Sequence, residues 1–445
     1  MTLNDHALGM GRQISRRDFV NGVSAATAGA LLLPKWALAM EEAQEYAPEQ
    51  AAGYYPPALT GMRGDHVGSF EVAHSLRDRR TIDVSAAAHS GETYDLVVVG
   101  AGMSGLAAAY YFVKNVGRGA RVLILDNHDD FGGHAKRNEY RHNGKLMAVN
   151  GGTLNIEAPF RYFETSKQLL HDIGIDLDRF TASNTKNSGL YRSLGLGNAH
   201  FFDKETWGAD RLVVREGAGR GGGGGRGGGY TAEYLARTPL SPQAQKDLLR
   251  LYAKQTDPMP GVTSAEKKNR LARMSYQDYL LNVVKVDKQV LWFFMHFGEG
   301  NFCVGADATP ALFAWEMGQP GFDGLNLDPT PDGVLANLPG PQHGRQKPDR
   351  GGSVHFPDGN ATVARLLVRW LAPEAVPGTT MEDVGAAQVQ YALLDRQGQT
   401  ARIRLNSTVV NVRHDGDAAS AGEVIVAYNR GGKLHDVREK AVVMA

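Results

Sequence analysis

Gly100, Gly102 and Gly105 stand in the order G-x-G-x-x-G, and Asp126 follows about 20 residues after the last of them. Residues of these types at this spacing can hold a diphosphate and a ribose. The first glycine permits a sharp turn, the second lets a phosphate reach the backbone without a Cβ in the way, and the third lets a helix lie close against a strand. Ser104 sits among them, and an acid at the position of Asp126 can accept hydrogen bonds from ribose hydroxyls. A second glycine pair, Gly132-Gly133, precedes His134, and a third, Gly151-Gly152, precedes Thr153. Farther on, Trp292, Glu299 and Glu316 supply an aromatic face and two carboxylates, a combination that can hold an ammonium group.

The phosphate-binding pattern needs a strand before it and a helix after it. Leu96 to Val99 is a short, valine-rich apolar run of the kind buried on both faces of a parallel sheet. Leu106 to Val113 reads as an alanine-rich helix that Gly117 ends, and Arg121 to Leu125 as a second strand with Asp126 at its carboxyl end and Asn127 beside it. The whole is one βαβ unit. The amino terminus of its helix faces the phosphates with free N–H groups and a partial positive charge. A lone G-x-G-x-x-G is weak evidence in a chain with 54 glycines, whereas strand, helix, strand and acid in register point to a dinucleotide. The bland alternative is a turn that only packs.

Gly132-Gly133 lies just beyond the ribose acid, where its open backbone can follow the ribityl-pyrophosphate chain of FAD. A nicotinamide cofactor has no need of such a pair. The run Gly132 to Tyr140, with Met62 to Glu71 upstream, resembles the bacterial FAD-dependent spermidine dehydrogenases, relatives of the amine oxidases, from Pro56 to the last residue apart from one insertion. The resemblance implies that Gly151 and Gly152 pass near the flavin ring and that the backbone at Val409 lies against the adenine. It also implies a second cofactor, a non-covalent haem b, for which His66 and His74 lie in the segment that could supply an axial ligand. The plain alternative for each histidine is a surface or hydrogen-bonded residue, and for Gly151-Gly152 an ordinary turn after a strand.

The amino terminus reads as an export signal. Ser15-Arg16-Arg17-Asp18-Phe19-Val20 matches the twin-arginine pattern, Val23 to Leu33 is a short apolar stretch, and Ala37-Leu38-Ala39 offers a cleavage site. The twin-arginine export machinery carries folded proteins, which suits a chain that acquires its cofactor before reaching the periplasm. Lys plus Arg equals Asp plus Glu at 48 each, so composition gives no reason to invoke nucleic acid. One cysteine, Cys303, reads as a buried, inert thiol; no cysteine cluster provides for structural zinc or iron–sulfur, and no metal site is expected. No C-x-x-C-H occurs, which excludes covalently attached haem.

The expected fold is α/β: a Rossmann-like FAD-binding domain with an inserted, largely helical substrate domain, amine-oxidase-like and C-terminally incomplete. Residues 1–39 are the signal, 40–91 an extension, 92–160 the first part of the FAD domain, 161–360 the substrate domain and 361–445 the return to the FAD domain. Asn143-Gly144 signals a hairpin. Glu164 to Ile173, Ser241-Pro242 to Tyr252, Tyr276 to Val284, Val286 to Phe297 and Ala361 to Leu371 read as helices. Gly217 to Gly229 holds ten glycines and reads as a floppy insertion without a counterpart in the resembled family. Ala401 to Leu405, Thr408 to Val412, Glu423 to Tyr428 and Val437 to Met444 read as strands, the last one buried at the chain's end, so the remaining flavin-ring half of the family's site is expected to be missing.

Amine oxidation needs a neutral nitrogen, a carbon–hydrogen bond aimed at the flavin and groups that hold distal ammonium charges. Trp292, Glu299 and Glu316 are the candidates, against the plainer reading of Trp292 and Phe293 as core aromatics. The function the resemblance implies is oxidation of a spermidine-like polyamine by hydride transfer to FAD, with electrons passed to a further acceptor and a homodimer as one assembly. The alternatives are a flavin enzyme for another amine or an alkene, and an inactive nucleotide-binding fragment.

Overall fold

The computed structural model describes residues 46–59, 66, 68–78, 81–157, 159, 162–215, 230–253, 255–328 and 354–445. The signal at 1–39, the run Met62 to Asp65 with Val67, and the glycine-rich stretch 217–229 lie outside the described residues. The chain forms two compact units, one of Met1–Pro159, Thr165–Asp176 and Gly352–Ala445, the other of Phe160–Glu164 and Leu177–Gly351.

The first unit is built on two four-stranded sheets. Leu96–Val99 (β2) follows Ala88–Tyr94 (β1), and Gly100 to Gly102 turns the chain into the helix Met103–Val116 (α1). Gly117 ends α1 with φ 108°, and Val122–Leu125 (β3) returns parallel to β2. Arg137–His142 (β4) and Lys145–Asn150 (β5) form a hairpin whose Asn143 and Gly144 have φ 49° and 76°, the left-handed pair that a tight hairpin turn requires. Ala361–Leu371 (α2) leads to Ala401–Arg404 (β6), Thr408–His414 (β7), Val424–Arg430 (β8), Lys433–Glu439 (β9) and Val442–Met444 (β10). The first sheet, in the order β6-β3-β2-β10, is parallel throughout. The second, β1-β9-β8-β7, is antiparallel except for β1 against β9.

Side-chain alternation explains the layering. Val97, Leu123 and Leu125 share one buried cluster with Val426, Tyr428 and Val437, so the two sheets are joined through an apolar layer. Val98 and Ile124 alternate to the opposite side, where a Cβ on Gly105 of α1 would lie 3.1 Å from Val98 Cγ1. Both strands are therefore covered on both faces, as a valine- and leucine-rich parallel strand must be. Nine of the eleven residues of α2 are buried, which makes it a core helix rather than a surface one. Trp370 closes it with an edge contact to Tyr110 of α1 at 4.7 Å.

Three sequence expectations are corrected. β10 is not a buried strand: it pairs only with β2 among the described residues, and Met444 is 65% exposed. The expected strand Val437 to Met444 is two strands in different sheets, β9 and β10, divided at Lys440. Tyr276 to Phe297 is less regular than two helices. It runs as a short α-turn, a π-turn at Tyr279–Val284 and a 3₁₀ stretch at Lys288–Phe293, because Lys285 takes a left-handed φ of 60° between them. The segment Thr165–Asp176 belongs to the first unit, since Tyr110 and Lys114 of α1 donate to Asp172 at 2.5 and 2.6 Å and Tyr111 donates to the Thr165 carbonyl at 3.0 Å.

Glu439, at the end of β9, is 1% exposed and neither carboxyl oxygen has a hydrogen-bond partner among the described residues. Burial, with the neighbouring Glu423 and Asp436 adding to it, pushes its carboxyl up from 4.5 to about 8. The folded chain therefore keeps this proton up to about pH 8 while the unfolded chain releases it near pH 4.5. The folded state binds more protons across that window, so stability falls as pH rises through it. Replacing Glu439→Gln removes the term. The variant should melt with the parent near pH 4.5 and above it near pH 8, by scanning calorimetry; parallel curves at both pH values would refute the assignment.

Candidate functional site

The glycine turn between β2 and α1 is a place where backbone meets backbone. A Cβ on Gly105 would lie 1.9 Å from the Gly100 carbonyl oxygen, so only glycine fits there. Gly100 itself turns with φ 103° and donates its N–H to the Leu125 carbonyl at 2.7 Å. The Gly132-Gly133 loop then crosses the same turn: Gly132 N–H donates to the Ala101 carbonyl at 2.8 Å, and a Cβ on Gly133 would lie 3.0 Å from Gly102 Cα. Two loops free of side chains thus meet at the amino terminus of α1, whose first-turn N–H groups have no partner inside the helix. Ser104 is exposed on that first turn.

Asp126 sits at the carboxyl end of β3, 7% exposed. Its carboxylate accepts the Ala101 N–H at 2.6 Å and the His128 N–H at 2.8 Å. Burial raises its pKa, and the two N–H donors with Lys136 oppose that rise. A carboxylate has about four lone-pair positions, so two remain for ribose hydroxyls. Asn127 uses its side-chain amide inward, donating to the Ser69 carbonyl at 2.6 Å, and so fixes the preceding extension against this loop. Val409 is close in sequence to the same junction. Asn406 and Ser407 donate their N–H groups to the carbonyls of His128 and Asp126 at 2.8 and 2.7 Å, and β7 begins at the next residue with a bulge after Val409.

Gly151, Gly152 and Thr153 follow β5. A Cβ on Gly151 would meet the Lys136 carbonyl oxygen at 2.8 Å, and one on Gly152 the His134 carbonyl oxygen at 2.5 Å. Their glycine identity therefore has a packing cause, close passage over the His134–Lys136 backbone, whatever they bind. His134 is exposed. Thr153 Oγ1 and Asn360 Oδ1 are buried without a hydrogen-bond partner among the described residues, and Asn360 N–H donates to the Thr153 carbonyl at 3.2 Å. An unpaired hydroxyl and an unpaired amide oxygen at the end of a glycine strip suit a polar ligand. The phosphate cradle, the anchored acid and these orphaned atoms fit an elongated dinucleotide.

Sequence reasoning missed the residues that hold this region from beneath. Tyr54 donates its hydroxyl to the Asp129 carbonyl at 2.6 Å, and Tyr391 donates to Asp130 at 2.7 Å. Arg137, 2% exposed, pairs with Glu139 and with Asp358 at 2.9 Å, and Tyr55 donates to Glu139 at 2.7 Å. The signal was there as Lys136-Arg137 and Glu139 a few residues past Asp129-Asp130, but nothing in a single sequence says that such charges are buried. The haem reading finds no support in the histidines. His66 places Nε2 3.2 Å from the Asp129 carboxylate and its ring edge-on to His128, and His74 lies exposed on Glu71–Arg77 with its ring against Phe70. Among the described residues no group of three or more His, Cys, Asp or Glu side chains is arranged to hold a metal ion.

In the second unit, Trp292 is part of an aromatic cluster. It stacks on Phe202 at 4.6 Å and meets Phe293, His200 and Trp207 edge-on at 5.0 to 5.9 Å. Glu299 lies half-exposed and accepts from His296 Nδ1 at 2.8 Å, whereas Glu316 is 1% exposed at the end of Ala311–Glu316. The three thus occupy an aromatic core, an open surface and a buried helix end. Cys303 is exposed with a left-handed φ of 59°, which corrects the expectation of a buried thiol.

A family model described as NAD(P)-binding Rossmann-like domain matches residues 98–173. The first unit has a Rossmann-like fold. None of the curated proteins matches the chain. Among solved structures, wild-type putrescine oxidase bound to putrescine is 15% identical with a TM-score of 0.34, over 80% of this chain and 58% of that one. A triple mutant of putrescine oxidase gives 15% and 0.32, over 79% and 58%. A CLA-producing fatty acid isomerase from P. acnes gives 13% and 0.32, over 82% and 59%. The chain spans less than two thirds of the length of these proteins.

The two turn glycines separate folding from binding. Gly105→Ala forces a Cβ onto the Gly100 oxygen and should cost about 3 kcal/mol of stability. Gly102→Ala meets nothing nearer than Gly133 Cα at 3.8 Å, so the fold should melt unchanged while dinucleotide affinity drops at least tenfold, roughly the loss of one good contact. Denaturant melts and equilibrium titration of the two variants check this; loss of stability in both would make the turn a packing device only.

Proposed function

We propose that this chain is an FAD-dependent oxidoreductase that oxidises a polyamine of the spermidine class, passing electrons to a further acceptor. The observation that carries the cofactor reading is the crossing of Gly133 over Gly102, which extends the phosphate cradle along a second glycine loop toward Gly151 to Thr153. A diphosphate would lie on Gly102, Gly133 and the first turn of α1, with Asp126 on the ribose. When bound, FAD supplies the acceptor for a hydride leaving the carbon next to the amine nitrogen. The chain's own part is to bind the cofactor, orient it through Asp126, and position the substrate's charges.

The substrate reading rests on the resemblance of Gly132 to Tyr140 and Met62 to Glu71 to the spermidine dehydrogenases. Glu299 is its open carboxylate. The export reading, a periplasmic enzyme carried by the twin-arginine machinery, rests on Ser15-Arg16-Arg17 and Ala37-Leu38-Ala39, and a homodimer belongs to the same reading. One observation favours a second substrate class. Arg215 lies over the Tyr230 ring at 4.7 Å and Arg237 over the Tyr234 ring at 5.9 Å, so cations of the chain itself already cover these two aromatic faces. An apolar, alkene-containing substrate would suit that cluster better than a polycation.

The test is optical. The purified chain should take up FAD with a rise in melting temperature that NAD and NADP do not give, and anaerobic spermidine should bleach the flavin band. Bleaching by an unsaturated apolar substrate alone would select the second class. A chain that stays colourless in excess FAD would end both.

A further inference from the structure

The parallel sheet has a second edge. Its carboxyl end holds Gly100 and Asp126, and its amino end, just before β3 and β6, opens on a cavity of about 540 Å³ lined by Arg118, Arg121, Arg402, Gln397, Gln399 and Glu92 among others. That volume lies within the range of small-molecule sites.

The charge in this cavity is unbalanced. Glu92 is taken by two arginines, accepting from Arg402 at 2.5 Å and from Arg404 at 2.9 Å. Arg402 is also held by Asp395 at 2.6 Å. Arg118 and Arg121 make no ion pair with any carboxylate among the described residues. Arg118 lies over the Trp370 ring, 3.8 Å from its centroid, and donates to the Trp370 carbonyl at 2.9 Å. Arg121 donates to the carbonyl and the hydroxyl of Thr93, and Asp95, which accepts its backbone N–H, is paired instead with Lys440 at 2.7 Å. Each guanidinium has five N–H donors in a planar fork, so both keep donors free after these contacts. The side-chain oxygen of Gln399 is buried there without a partner among the described residues; turned over, the same amide presents its NH₂. A Cβ on Gly119 or Gly398 would meet nothing within 4 Å, so the rim backbone is open to a ligand.

We propose that this cavity is a second ligand site, separate from the glycine-loop cradle, which binds a phosphoryl oxyanion through Arg118 and Arg121 with Gln399 as the neutral donor. Planar guanidinium forks match phosphate oxygens two at a time, and the Trp370 ring and carbonyl hold Arg118 in place before the ligand arrives. A free phosphate and the phosphate of a nucleotide offer the same oxygens, and the two are told apart by affinity.

Calorimetric titration of the full chain with inorganic pyrophosphate and with AMP tests it, using the parent, Arg121→Gln, Gln397→Glu and Gly102→Ala. Gln397→Glu adds a negative charge at an exposed rim position and removes no described contact, so it reports even if an arginine variant folds poorly. Saturable binding should weaken roughly tenfold or more in Arg121→Gln and in Gln397→Glu, and stay within about twofold of the parent in Gly102→Ala. Tighter binding of AMP would identify a nucleotide, and equal binding a bare phosphate. No saturable binding, binding untouched by Gln397→Glu, or binding lost only in Gly102→Ala would overturn the proposal.

Discussion

The first unit depends on contacts in which backbone touches backbone with no room for a side chain. Gly105 against the Gly100 oxygen, Gly133 against Gly102 and Gly152 against the His134 oxygen all fall at distances that a Cβ would close to 3.0 Å or less. Close-packed interiors do not absorb such an atom without moving the backbone. The consequence reaches beyond the turn. With Gly100 and Gly102 held this close, the Ala101 N–H comes within 2.6 Å of Asp126, and the Asp126 carbonyl is then met by Ser407 from the returning chain. Two parts of the sequence some 280 residues apart are thus joined on one loop, through hydrogen bonds made possible by missing side chains.

A buried ionic cluster fixes the other side. Arg404 donates to Asp395 at 2.6 Å, to Glu92 at 2.9 Å and to Tyr428 at 2.8 Å, while Arg402 bridges the same two acids. Arg430 reaches Glu49 in the extension and lies 3.6 Å from Asp395. Three arginines and three carboxylates balance, which is the condition for burying them at all, because an unpaired charge there would face a desolvation penalty of several kcal/mol. Such a cluster adds little net stability over a well-packed apolar one. It does select one arrangement of β1, β6, β8 and the 48–50 turn, since any other leaves a charge alone. The extension is thereby part of the fold rather than a tail.

What the sequence made legible follows this division. The βαβ unit, the Asn143-Gly144 turn and α2 were readable because each rests on local rules: a continuous valine-rich run, a left-handed pair, a proline-free apolar stripe. The helix at Pro242–Tyr252 was readable to the residue, because Ser241 accepts from the Ala244 N–H as its cap and Pro242 needs no donor at the first turn. Gly151 and Gly152 were legible as glycines that matter, but the cause found, passage over His134 and Lys136, is non-local. Cys303 and β10 were misread for the same reason. Apolar character says that a residue can be buried, and only the tertiary neighbours say whether it is.

The substrate side was least legible, and electrostatics explains why. Trp292, Glu299 and Glu316 stand out in the sequence because aromatic faces and carboxylates attract ammonium ions. Yet a carboxylate left only 1% exposed, as Glu316 is, serves a mobile ligand only if the ligand is desolvated with it. The aromatic cluster carries the opposite charge from the one expected, with Arg215 stacked on Tyr230 and the His200 pKa lowered first by burial and then by that same arginine. The five rings around His200 would on their own attract a cation, and it is the arginines over Tyr230 and Tyr234 that oppose a polycation there. Were the substrate the proposed polyamine, its ammonium groups would have to be met by open carboxylates such as Glu299 rather than by the rings. Selectivity would then be set by charge at an exposed rim, where salt screens it, more than by the shape of an aromatic pocket.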